Sequence, residues 1–108
     1  MQEHYVYILA SKRNGTLYVG MAKELGKRVV RHNKGRGSKF VQEYNVHKLV
    51  YFEKVRDYKE ACKREQELKH YNRSWKIRMI EKFNPAWKDL SDKLINSNPG
   101  SSAEDQRS

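Results

Sequence analysis

The chain has 108 residues, enough for one domain with a modest core. Its 23 Lys and Arg against 13 Asp and Glu leave a formal net charge of +10, which favours a polyanionic partner, nucleic acid foremost. No run approaches the ~18 consecutive apolar residues of a membrane helix and no basic-then-apolar segment opens the chain, so neither a membrane partner nor a secretory signal is expected.

Tyr5-Val6-Tyr7-Ile8-Leu9-Ala10 is aromatic and β-branched and predicts the first strand. Asn14-Gly15 is a hairpin signal, and Thr16-Leu17-Tyr18-Val19-Gly20 predicts the second strand. A two-residue Asn14-Gly15 turn would set Ser11 opposite Tyr18 and Leu9 opposite Gly20. Tyr5, Tyr7 and Tyr18 would then line one face of the sheet. A one-residue slip would separate them.

Residues 21–34 predict a helix with Ala22, Leu25, Val29 and Asn33 facing inward, and Arg28 and His32 together at one edge of that stripe. Residues 35–39 form a basic, glycine-containing loop. Residues 48–55 carry Leu49-Val50-Tyr51-Phe52 and predict a third strand buried on both faces. Residues 58–72 read as one amphipathic helix. At 100° per residue, Ala61, Glu65, Leu68 and Asn72 fall within roughly 60° of one another.

Glu65 thus interrupts the stripe that faces the core. A buried carboxylate costs several kcal/mol unless a cation, a metal or hydrogen bonds compensate it. Two readings stand: a salt-bridged Glu at the stripe's edge, or a metal-ligand or acid–base carboxylate projecting into a site. Cys62 excludes an intrachain disulfide, fits a reducing cytoplasm and has no Cys or His at zinc-ligand spacing, so it is assigned to packing.

Ser74 is the expected N-cap of the next helix, in which Trp75, Met79, Ile80 and Phe83 have helical spacing. Asn84-Pro85 then opens a last short helix with Trp87, Leu90 and Leu94, and both tryptophans are assigned to the core. Residues 96–108 have almost no apolar content and read as a disordered tail behind a single domain over residues 1–95.

Tyr5-Val6-Tyr7, ten residues, then Tyr18-Val19-Gly20 resembles the paired signature of the GIY-YIG nuclease superfamily. The stretch from Tyr18 through Arg28 resembles that family's second motif running into its helical arginine, and the helix around Glu65 resembles the one carrying its acidic residue. The pattern is similar to small stand-alone bacterial members that hold little beyond the nuclease module. The resemblance implies an α+β fold, a three-stranded antiparallel β-sheet flanked by helices. It also implies phosphodiester hydrolysis with one divalent ion, Mg²⁺ or Mn²⁺.

In that carry-over Tyr18 helps activate water as general base, and Tyr7 positions the water or the scissile phosphate. Arg28 stabilises charge on the phosphate, Glu65 holds the metal and His32 assists proton transfer. Lys23, Lys27, Arg31, Arg36 and Lys39 are the nucleic-acid contacts expected from the basic balance, with DNA favoured over RNA and repair or recombination as the setting. No dedicated protein partner is inferred.

The chain departs from the family pattern at several positions. Tyr5 stands where the family name has Gly, Val6 and Val19 replace Ile, and Met21 stands where some relatives carry Lys. Gly20 is a candidate for close backbone approach, and Asn72 is the candidate for the family's late asparagine. Each residue also has a packing or solvation role to weigh against its chemical one. The alternative function is a catalytically weak nucleic-acid-binding module on the same scaffold.

Overall fold

The computed structural model describes residues 4–25 and 45–91. In chain order it has β1 (His4–Ala10), β2 (Leu17–Ala22), β3 (Lys48–Val55), α1 (Tyr58–His70) and α2 (Arg73–Phe83). The strands form one antiparallel sheet in the order β2-β1-β3. The expected three-stranded α+β architecture is therefore present. No helix among the described residues is long and apolar enough to cross a membrane.

β1 is the central strand, and Val6, Tyr7, Ile8, Leu9 and Ala10 are all fully buried. Two-sided burial was expected of β3. It belongs to β1 instead, because β3 lies at an edge: Leu49 and Val50 are buried, while Tyr51 and Phe52 are half-buried. One face packs Val6, Ile8, Ala10, Val19 and Val50 against Ala61 and Leu68 of α1, Ile80 of α2, and Trp87. The other packs Tyr7, Leu9 and Ala22 with Leu25, Val46 and Leu49, and Tyr5, Tyr18 and Phe52 cover it.

The hairpin register differs by two residues from the expected one. Leu9 pairs with Tyr18 and Tyr7 with Gly20. The turn is longer than two residues: Gly15 N–H donates to the Lys12 carbonyl at 2.8 Å, Ser11 N–H donates to the Thr16 carbonyl at 3.0 Å, and Asn14 is left-handed at φ 58°. Two residues is one full side-chain period, so Tyr5, Tyr7 and Tyr18 still share a face. Met21 and Ala22 continue β2 rather than starting a helix, and residues 26–44 lie outside the described residues.

α1 starts at an Asp57 cap, whose carboxylate accepts from Glu60 N–H at 2.9 Å, and ends two residues before the expected boundary. Tyr71 is extended there, which frees Asn72 to cap α2. Asn72 Oδ1 accepts from Trp75 N–H at 3.0 Å and from the Ser74 hydroxyl at 2.8 Å. The cap is thus Asn72, not Ser74, because the chain leaves α1 early enough for the first competent side chain to take the role.

The last expected helix is absent over residues 84–90. Asn84 instead fastens the C-terminal end of α2, donating to the Val50 and Lys88 carbonyls at 3.2 and 2.8 Å and accepting from Lys88 N–H at 3.1 Å. Trp87 is left-handed at φ 55°, which no α-helix accommodates. That turn buries its indole completely and points its N–H at Glu81 Oε2, 2.9 Å away. Leu94 and residues 96–108 lie outside the described residues.

Trp75 is not a core residue: it is 54% exposed. Ile77 and Ile80, which face the sheet, lie roughly 140–200° around the helix from it. Spacing identified a helix here but not which side of it turns inward.

Candidate active site

Tyr7 and Tyr18 stand on neighbouring strands with ring centroids 6.5 Å apart and planes tilted by 44°. Tyr7 is fully buried and Tyr18 half-buried. Between them lies Gly20. A Cβ there would sit 2.6 Å from Tyr7 Oη, 2.7 Å from Tyr7 Cζ and 3.1 Å from Tyr18 Cε2. The phenol of Tyr7 therefore lies over the backbone of β2, reaching from the central strand towards the sheet's outer edge. Close approach is what requires glycine here.

Glu65 comes from the other side of the sheet. Ala61 and Leu68, which flank it on α1, are buried against the Val6 and Ile8 face. Its side chain is 17% exposed, and Lys69 Nζ lies 3.5 Å from Oε2. Both readings of this residue contain something observed: the carboxylate is shielded, and it has a cationic neighbour one turn on.

The direction of α1 sets the height of Glu65. Tyr58, at the helix start, meets His4 edge-on at 6.1 Å. Just beyond the helix end, the Arg73 guanidinium donates to the Asn14 and Gly15 carbonyls of the hairpin loop, at 2.5 and 2.7 Å. α1 thus runs parallel to β1. Glu65 is about 10 Å along the helix from Tyr58, and Tyr7 is about 10 Å along the strand from His4. Glu65 is therefore level with the Tyr7–Gly20 pair. α1 packs chiefly on β2 and β1, on the face opposite the tyrosines.

Lys23 is exposed just past the end of β2. Lys27, Arg28, Arg31, His32, Arg36 and Lys39 lie outside the described residues. Leu25 and Val46, which bracket that segment, are both buried on the tyrosine face. Asn72 is not brought into the site: it is exposed, and its side-chain oxygen is committed to capping α2.

No group of three or more metal-ligating side chains occurs among the described residues. Glu65 supplies the hard oxygen that Mg²⁺ and Mn²⁺ prefer, and an ion that keeps most of its waters needs few protein ligands. The donor chemistry therefore fits a single-carboxylate site.

Two further features emerge only in the folded chain. Glu53 on β3 accepts from Arg64 Nε at 2.6 Å and from the Tyr51 hydroxyl, and Arg64 also donates to Glu67 at 3.1 Å, tying α1 to the sheet. Tyr71, Trp75 and Arg78 make an exposed aromatic and cationic corner. Its signal was the alternation of aromatic and basic residues over 71–78.

The sequence model of the GIY-YIG catalytic domain matches residues 3–78, which takes in the three strands, α1 and the first half of α2. The chain belongs to the GIY-YIG family. A UPF0213 protein of Staphylococcus saprophyticus is 41% identical over 80 residues, covering 74% of this chain and 96% of the relative. A UPF0213 protein of Staphylococcus epidermidis is 42% identical over 81 residues, covering 75% and 98%. The solution NMR structure of a UPF0213 protein from Bacillus halodurans superposes with a TM-score of 0.51 at 27% identity, covering 82% of this chain and 93% of that one. The GIY-YIG domain is of nuclease type, and nucleases of this family generally use divalent metal ions.

Proposed function

We propose that this protein hydrolyses phosphodiester bonds in nucleic acid, DNA in preference to RNA, with Mg²⁺ or Mn²⁺ held by Glu65. The observation that supports this reading is the Tyr7–Gly20–Tyr18 arrangement: the lack of a side chain at Gly20 leaves room for the Tyr7 phenol over β2, beside the ring of Tyr18. A phosphodiester repels anionic nucleophiles, so cleavage needs positive charge at the phosphate. When bound, the ion supplies such charge and acidifies a water.

The chain's own residues divide the remaining work. Tyr18 accepts the proton of the attacking water, and Tyr7 orients that water or the phosphate. A phenol with an ordinary pKa near 10 is a weak base at neutral pH, so a cation must favour its ionised form. Arg28 meets that demand and presents a forked, permanently charged donor to the phosphate oxygens. His32 assists proton transfer. Lys23, Lys27, Arg31, Arg36 and Lys39 hold the flanking backbone, which makes affinity fall with salt. The unpaired Cys62 supports a cytoplasmic setting, and repair or recombination fits the substrate class.

The Lys69–Glu65 pair favours a second reading, a binding scaffold in which that carboxylate has only a structural role. Plasmid nicking in Mg²⁺ and Mn²⁺ separates the two. Glu65→Ala and Arg28→Ala are expected to lose nicking while keeping the wild-type circular dichroism spectrum. Retained nicking in both would refute the assignments. Unchanged or tighter DNA binding by Glu65→Ala, in a wild type that does not nick, would support the scaffold.

A further inference from the structure

The corner where α1 meets α2 carries an exposed aromatic surface outside the active site. Trp75 is 54% exposed and Tyr71 36%, with ring centroids 6.2 Å apart and planes tilted by 46°. The Arg78 guanidinium carbon lies 5.6 Å from the centre of the Trp75 ring. Arg73 ties this corner to the hairpin loop, where Lys12 and Arg13 are exposed. Among the described residues, none of Arg73, Lys76 and Arg78 forms an ion pair with a carboxylate. Burial, and to a lesser extent the neighbouring Arg73, push the Lys76 ammonium below its usual range.

Two exposed rings side by side offer an apolar contact surface, and the cations around them, with no carboxylate partner among the described residues, favour an anionic cover. A duplex hides the faces of its bases, whereas an unpaired base offers a π-face to the indole and a phosphate on either side to the cations. We propose that Trp75 and Tyr71 form a stacking platform for an unpaired base of single-stranded nucleic acid, with Arg73, Lys76 and Arg78 contacting the adjoining phosphates. This inference rests on the nuclease reading and refines it. The substrate would carry a single-stranded segment that crosses the α1–α2 corner while the cleaved bond lies at the β2 edge.

The test is binding rather than cleavage, made without divalent metal so that its failure is distinct from failure of the nuclease reading. Fluorescence anisotropy would follow an oligothymidine strand about 15 nucleotides long, the matching oligouridine, and a blunt duplex of equal length. Trp75→Ala is expected to weaken single-strand binding roughly tenfold and leave the duplex nearly unaffected. Trp75→Phe, which keeps a ring, should retain most of the affinity. Thymidine and uridine arms that respond alike place the specificity in the stacking rather than the sugar. An unchanged affinity in Trp75→Ala, or an equal loss for strand and duplex, would overturn the proposal. Absence of single-strand binding by the wild type would also overturn it and leave the aromatic corner to a protein partner.

Discussion

The phenol of Tyr7 occupies the space that a side chain at Gly20 would fill: Oη lies 2.6 Å from the ideal Cβ position. The neighbour in that space is a buried ring on the central strand, with β1 packed on both sides. Gly20→Ala must therefore displace either Tyr7 or the edge strand. The expected stability loss is about 1–3 kcal/mol, as for other overpacked sites. Nicking should fall further than stability alone explains, because the tyrosine geometry shifts with it. Thermal unfolding and nicking on the same preparation check both, and an unchanged unfolding midpoint would contradict the close packing.

Under the proposed metal role of Glu65, Lys69 competes with the ion for the carboxylate. Its ammonium is half-exposed and 3.5 Å from the carboxylate, one helical turn away. With the ammonium half-exposed, an i,i+4 pair of this kind contributes little to folding even though its carboxylate is shielded, about 0.5 kcal/mol. Removing it should tighten divalent-ion binding by about two- to fivefold, since one repelling charge is lost next to the ligand. Calorimetric Mn²⁺ titration of Lys69→Ala against wild type reads this directly. Weaker binding in the variant would mean that Lys69 orients Glu65 rather than competing for it.

Asn72→Ala tests a cap against a catalytic role. The side chain accepts from Trp75 N–H and the Ser74 hydroxyl at the start of α2. Its loss should cost about 1 kcal/mol of stability. Nicking measured well below the unfolding midpoint should stay at the wild-type level. A loss of nicking with no loss of stability would return Asn72 to the active site.

Tyr51 should make the fold sensitive to alkali. Burial, followed by its hydrogen bond to the Glu53 carboxylate, pushes its phenol from the ordinary 10 up to about 12, with Arg64 opposing the shift. The folded chain therefore holds this proton more tightly than the unfolded chain. The resulting stabilisation is complete below pH 10 and is lost as pH rises from 10 to 12. Denaturant unfolding across that range should show a steeper decline in wild type than in Tyr51→Phe. Parallel declines would mean that the Tyr51 proton is not linked to folding.

The elements that can be read from neighbours in the chain were legible without the structure. The aromatic and β-branched residues of β1, the apolar run of β3, the turn residues before β2 and the apolar stripe of α1 are each local signals. So did the shared face of Tyr5, Tyr7 and Tyr18, because a side-chain period of two survives a register error of two. Glu65 was also visible, as a carboxylate out of place between Ala61 and Leu68.

The length of the hairpin loop, the choice of Asn72 over Ser74 as cap, and the left-handed turn that buries Trp87 were decided by packing between segments distant in sequence. The same packing turned Ile77 and Ile80 inward and left Trp75 outside, and it put α1 on the sheet face opposite Tyr7. Periodicity specifies that a helix has an apolar side and that a strand has two faces. Which side meets which face, and at what height, depends on contacts that form only when β1, α1 and α2 come together.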